Sequence, residues 1–235
     1  MKKLKTNSTR AKIAEISLWI CGVLFILSLF SNILEFFLFK NAQDGIMVGF
    51  EEVEKNNLRQ IIISFTQGFA FIFSSVTFIL WFRRAYYNQE AKFEYMYSSN
   101  GWAIGSWFVP ILNLFKPYQL MKEIHQNLQE YFVKNHFGEL KLYDPKIIDM
   151  WWGLCLFLNI SQGIVRIILL KSAFPERLMK ISIAFIIIDI LHILLTYLTI
   201  KIIRNYNQME LIILKQRENI DFMSYKNKDL LDSGF

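Results

Sequence analysis

Of the polar residues inside apolar runs of this 235-residue sequence, any chemistry would start with Glu35, Asn159, Arg166, Asp189 and His192. A charged group near the centre of a lipid-spanning helix costs about 2.5–3.5 kcal/mol, so it marks either a packing contact or a pathway. Asp189 sits near the middle of "ISIAFIIIDILHILLTYLTIKII", and His192 follows one turn later on the same helix face. Arg166 falls in the outer half of "MWWGLCLFLNISQGIVRIILL". Antiparallel packing of the two stretches would bring Arg166 to within about 5 Å of Asp189 in depth. The spacing predicts an Arg166–Asp189 pair joining two helices, with His192 beside it. Glu35 is close enough to the outer edge of its own span to join them or to face water. Such a group is either structural glue or a polar lining for ions or protons. Asn32, Gln67, Asn159 and Gln162 add interhelical hydrogen-bonding capacity. Ser64, Gly68 and Ser75 put small side chains on one helix face as a packing seam.

Soluble catalysis finds little footing. His125 and His136 have no metal-ligand spacing and no partner cysteines, and His125 reads as a surface residue of an amphipathic helix. The chain has no G-x-S-x-G, no H-E-x-x-H and no phosphate-binding or dinucleotide fingerprint. Cys21 and Cys155, the two cysteines, both fall in apolar runs and read as packing residues without a disulfide. No cofactor, metal or enzymatic reaction is expected.

These residues need elements that hold them in lipid, and the composition supplies them. Hydrophobic residues are 54% of the chain, 22 of them Phe, while charged residues are only 20%. Four stretches have the length of a bilayer-crossing helix, at about 13–39, 61–82, 150–170 and 181–203. The net charge of +6 comes from basic residues gathered beside these stretches, where they act as membrane-flanking anchors, so nucleic acid is not an expected partner. The first flank, "MKKLKTNSTRAK", holds five basic residues and no acid, whereas the loop after the first span has four acids against three bases. That asymmetry predicts both termini in the cytoplasm. The expected class is therefore an all-α membrane bundle: one membrane domain over 1–203 and a cytoplasmic tail over 204–235.

The region between the second and third spans is harder to place. "GWAIGSWFVPILNLFKPY", residues 101–118, is apolar but broken by Pro110 and Pro117. As a helix, Gly101–Phe115 would reach roughly 22 Å, short of a roughly 30 Å hydrocarbon core. It reads as a re-entrant or interfacial broken helix over 101–117. Trp102 and Trp107 would lie at the interface, Asn113 would bridge freed carbonyls, and Gly101 and Gly105 would permit close helix contact. The alternative continues the span to Met121 and buries Lys116, giving five crossings. Met121, Ile124, Leu128 and Phe132 then recur at helical spacing, predicting an amphipathic helix over 118–133.

"GWAIGSWFVPILNLFKPYQLMKEI" closely resembles the signature of a bacterial membrane family defined only as a domain of unknown function, DUF4328. The typical block is "PGWAVGWWFVPFANLWKPYQ", so the resemblance takes in Gly101, Trp102, Gly105, Trp107, Pro110, Asn113, Pro117 and Tyr118. An R-A-x-x-N segment precedes it in the family, and "WFRRAYYN" stands at that place here, at 81–88. "WWGLCLFLNISQGIVR", 151–166, is similar to the family's WW-x-x-W-x-x-x-N helix, with Asn159 and Arg166 in matching places and Cys155 where a Trp is common. The resemblance covers roughly residues 60–205 and implies a multi-pass protein of the bacterial inner membrane, with no reaction attached.

These readings converge on a non-enzymatic membrane protein whose partners are the lipid bilayer, further copies of itself and a soluble cytoplasmic component. It would be pore-like or a membrane partner of another protein. A small-solute or proton-coupled transporter is the alternative, and an intramembrane enzyme using Asp189 and His192 the more remote one.

Overall fold

The computed structural model describes residues 4–93, 96–135, 144, 146–169 and 174–232, and every regular element among them is helical. In chain order these are α1 (Ser8–Gln43), α2 (Phe50–Lys92), α3 (Trp102–Gly105), a 3₁₀ turn (Leu112–Leu114), α4 (Lys116–Lys134), α5 (Lys146–Leu169) and α6 (Pro175–Asp232). Four of them, α1, α2, α5 and α6, are long and apolar enough to cross a membrane. The chain is an all-α membrane protein.

Three of those helices outrun the apolar stretches that announce them. α2 starts at Phe50, with Glu51 and Glu52 in its first turn, where carboxylates meet the positive end of the helix. α6 opens on Pro175, whose missing N–H costs nothing at a first helical position. Its 58 residues would reach about 87 Å, far more than a bilayer core requires.

The stretch 101–115 does not run as one helix to Met121, the form a fifth crossing would take. α3 is a single turn, and Pro110 and the 3₁₀ turn separate it from α4. Asn113 serves through its backbone, its N–H donating to the Val109 carbonyl at 2.8 Å. A Cβ at Gly101 would meet only Ser99, and one at Gly105 only the ring of Trp102, each at an ordinary 3.7 Å.

The described chain groups into two compact units. The span unit comprises 13–79 and 144–201; the terminal unit comprises 1–12, 80–143 and 202–235. In the span unit Trp151 packs against Phe78 and donates its indole N–H to Thr199 Oγ1 at 3.0 Å. α1 and α6 approach closely at Gly22, where a Cβ would lie 3.4 Å from the Thr196 methyl. Between α1 and α2 the seam is polar: Ser17 with Thr77 at 2.8 Å, Cys21 with Ser74 at 3.3 Å, and Gln67 donating to the Leu24 carbonyl at 3.3 Å. This corrects the predicted seam. Ser64 and Gly68 are exposed, and an added Cβ at Gly68 would meet nothing within 4 Å. The α2 face that turns inward is the one whose polar groups find partners, since apolar faces can be left to lipid.

In the terminal unit α4 buries the predicted stripe, Met121, Ile124, Leu128 and Phe132. α6 adds Tyr206, Met209, Glu210 and Ile213, and the end of α2 adds Trp81, Phe82, Ala85 and Tyr86. Trp81 meets Tyr206 edge-on at 5.6 Å, and Phe82 meets Trp107 edge-on at 6.3 Å. Trp107 is thus half-buried, while Trp102 is exposed. Pro117 is buried in the first turn of α4, and Tyr118 accepts a hydrogen bond from Lys122 one turn later.

Candidate functional site

Asp189 is buried on α6, and Asn32 of α1 donates an amide N–H to its Oδ2 at 2.8 Å. Asn32 is a junction. Its second contact runs to Ser28 Oγ at 3.4 Å, and its Oδ1 accepts from Gln60 of α2 at 3.3 Å. Three helices are therefore tied at one depth by one carboxylate and two amides. One turn toward the α1 carboxyl end, Glu35 accepts from Asn56 of α2 and from Ser182 of α6, each at 3.2 Å. Arg59 fills the space between, donating to Ser31 Oγ at 2.9 Å and to the Asn56 side chain.

His192 belongs to a neighbouring layer. Its Nδ1 lies 2.9 Å from the Ile188 carbonyl, which can only accept, so the proton is assigned to Nδ1. Nε2 is then free to accept from the Gln162 amide of α5 at 3.2 Å. The ring stacks on Phe25 of α1, centroids 4.4 Å apart. Asp189 and His192 share a face of α6, as their spacing predicts, but each is engaged by its own partners.

The other sequence candidates distribute unevenly. The side chain of Arg166 lies outside the described residues, as does His136. Asn159 stands apart from the polar group. It is exposed and donates back to the Cys155 carbonyl of its own helix at 2.7 Å, the local bond that short polar side chains make to a preceding turn. His125, expected on the surface, is buried on the inner side of α4. Both cysteines are free.

A second polar network, in the terminal unit, has no counterpart among the sequence candidates. Glu123 of α4 accepts from the Tyr86 hydroxyl and from the Tyr97 backbone N–H, each at 2.7 Å. Burial pushes the Tyr86 phenol above its ordinary range, and the neighbouring carboxylate pushes it further. Nearby Asn88 of α2 donates to Glu210 of α6 at 2.6 Å, and Tyr206 donates to the same Oε1 at 3.1 Å. Glu210 lies beyond the apolar span of α6, and burial raises its carboxyl despite these donors. One feature of the sequence points here, the "WFRRAYYN" segment at 81–88 that resembles the family's R-A-x-x-N block. It does not say that a carboxylate is buried beside it.

A family model described as a domain of unknown function (DUF4328) matches residues 44–208. The chain belongs to the DUF4328 family. The matched stretch of this DUF4328 protein carries Gln60, Asp189 and His192 of the span unit and Tyr86, Asn88 and Glu123 of the terminal unit, while Asn32, Glu35 and Glu210 lie outside it. No similar protein was found among curated proteins or among solved structures.

Proposed function

We propose that this DUF4328 protein is a non-enzymatic, multi-pass protein of the bacterial inner membrane that works by association, with further copies of itself and with a soluble cytoplasmic component. One observation carries the reading. The ionisable groups expected to form a pathway, Asp189 and His192, are engaged by Asn32, Gln162 and the Ile188 carbonyl, all from the same chain. Groups closed on each other in this way hold helices together, whereas a conducting pathway needs polar groups turned to a permeant ion. The exposed apolar faces of the four long helices leave room for both lipid and a second copy; Phe65, Phe69 and Ile72 of α2 are examples. In this reading 101–117 lies at the interface, which is supported by the exposure of Phe108 and Ile111, at 72% and 73%.

The test is ion flux in proteoliposomes for wild type and Asp189→Asn, with oligomeric state followed by cross-linking in the same vesicles. No flux from either protein, together with a cross-linked oligomer, is the expected result. Flux that Asp189→Asn abolishes would favour the second reading, a proton- or solute-coupled transporter, which the shared α6 face of Asp189 and His192 supports. A monomer without flux would remove self-association and leave the soluble partner.

A further inference from the structure

Four cations of the terminal unit converge on one cavity. Lys5, Arg10, Arg83, Arg84, Tyr87 and Asn100 line a space of about 240 Å³. None of the six is a carboxylate. Two acids act on this lining: Glu90 accepts from the cavity's own Asn100 at 2.7 Å, and Glu210, whose charge is felt at Arg84, accepts from Asn88 and Tyr206.

A basic leader before a first span is ordinarily a solvated anchor. Here it is fixed in place. Asn88 clamps the Lys5 backbone from both sides, its Oδ1 accepting the Lys5 N–H at 3.1 Å and its Nδ2 donating to the Lys5 carbonyl at 2.6 Å. Asn7 is buried and donates to the Trp81 carbonyl at 3.1 Å. The docked leader carries Lys5 and Arg10 to Arg83 and Arg84 at the end of the second apolar span. Lys5 and Arg84 both lie over the Tyr87 ring, at 5.3 and 5.8 Å from its centroid. Arg10 also sits in the first turn of α1, where the helix end adds partial positive charge of its own. Burial, then Arg84 and Arg83, hold the Arg10 guanidinium below its ordinary range. Like charges assembled at this density repel one another, and a multiply charged anion relieves them through several charge-assisted hydrogen bonds.

We propose that this cavity binds a phosphate group, carried by an anionic phospholipid headgroup or by a soluble phosphate compound. Its place in the chain suits a headgroup: Arg10 precedes the first apolar span by a few residues and Arg83 directly follows the second.

The experiment uses the full chain in neutral detergent, with two arms. In the first, phosphatidylglycerol and phosphatidylcholine are titrated and bound lipid is counted by native mass spectrometry. In the second, inorganic phosphate is compared with chloride at equal ionic strength by thermal unfolding. Each basic residue near a phosphate is worth on the order of fivefold in affinity, so Arg83→Gln/Arg84→Gln should weaken binding roughly 25-fold. Exposed Lys134→Gln should leave it unchanged, and Arg83→Lys/Arg84→Lys should restore most of it. Preference for phosphatidylglycerol without a phosphate effect assigns the headgroup. Stabilisation by phosphate that also displaces phosphatidylglycerol assigns a soluble ligand. If the double variant does not fold, Arg10→Gln replaces it, with about a fivefold loss expected. Wild-type protein that binds the two lipids equally and ignores phosphate overturns the proposal, as does equal loss in the Lys134→Gln control.

Discussion

Asp189 and His192 are legible from sequence because an acid and an imidazole inside an apolar run have few uses other than a specific contact. Their partners are not legible. Nothing in the chain pairs position 32 with position 189, and Asn32 is an unremarkable amide until α1 and α6 are laid together. The same blindness explains Glu123, which reads as the polar side of an amphipathic helix and is buried under the Tyr86 hydroxyl. The Asn32 contact has a measurable consequence. Asn32→Ala removes the amide donor from a buried carboxylate and should lower stability by roughly 1–2 kcal/mol, read as a lower unfolding temperature in detergent. Adding Asp189→Asn to that variant should recover part of the loss, because a neutral amide is less costly to leave underpaired. Strictly additive effects of the two substitutions would mean that Asn32 and Asp189 do not act on each other.

At the scale of elements, hydropathy finds the four spanning helices and misplaces their ends. It reports where lipid is tolerated, while a helix continues wherever backbone bonds and side-chain packing support it. α6 shows this best: Tyr206, Met209, Glu210 and Ile213 are spaced to bury one stripe beyond the apolar run, so the helix persists into a stretch that reads as tail. The carboxyl in that stripe sets a pH dependence. Burial raises Glu210 above its ordinary value of 4.5 in the folded protein. A raised acid favours folding while it is protonated, so its contribution is complete below 4.5 and is lost as pH climbs through the folded value. The unfolding temperature of the wild-type protein should therefore fall as pH rises above 4.5. Glu210→Gln keeps an oxygen to accept from Asn88 and Tyr206 and should give a shallower profile. Parallel profiles for the two proteins would mean that Glu210 stays ionised throughout.

For the whole molecule, the exposed surface states the solvent. Phe30 and Phe37 of α1, Phe65 and Phe69 of α2, Phe157 and Ile160 of α5, and Ile187 and Leu194 of α6 are all exposed, a distribution that water would penalise and hydrocarbon accepts. This much follows from composition alone. The fate of 101–115 does not, because its length and its prolines were compatible with a short broken helix or with part of a longer one. The fold breaks it into one turn, a 3₁₀ turn and the start of α4, which leaves Phe108, Ile111 and Leu114 exposed on a segment too interrupted to satisfy its own backbone in a bilayer core. Such a segment suits the interfacial place proposed for it, where apolar side chains would meet lipid and the backbone would reach water. In the proposed topology, with both termini in the cytoplasm and four crossings, the α1–α2 loop would be external and the α2–α5 connection would not. A cysteine at Asp44 should then react with an impermeant maleimide on intact cells, in a background where Cys21 and Cys155 are replaced by alanine. Cysteines at Ile111 and Asn135 should react only after the inner membrane is opened. Labelling at Ile111 from outside would make 101–121 a crossing segment, and with five crossings the two termini would lie on opposite sides of the membrane.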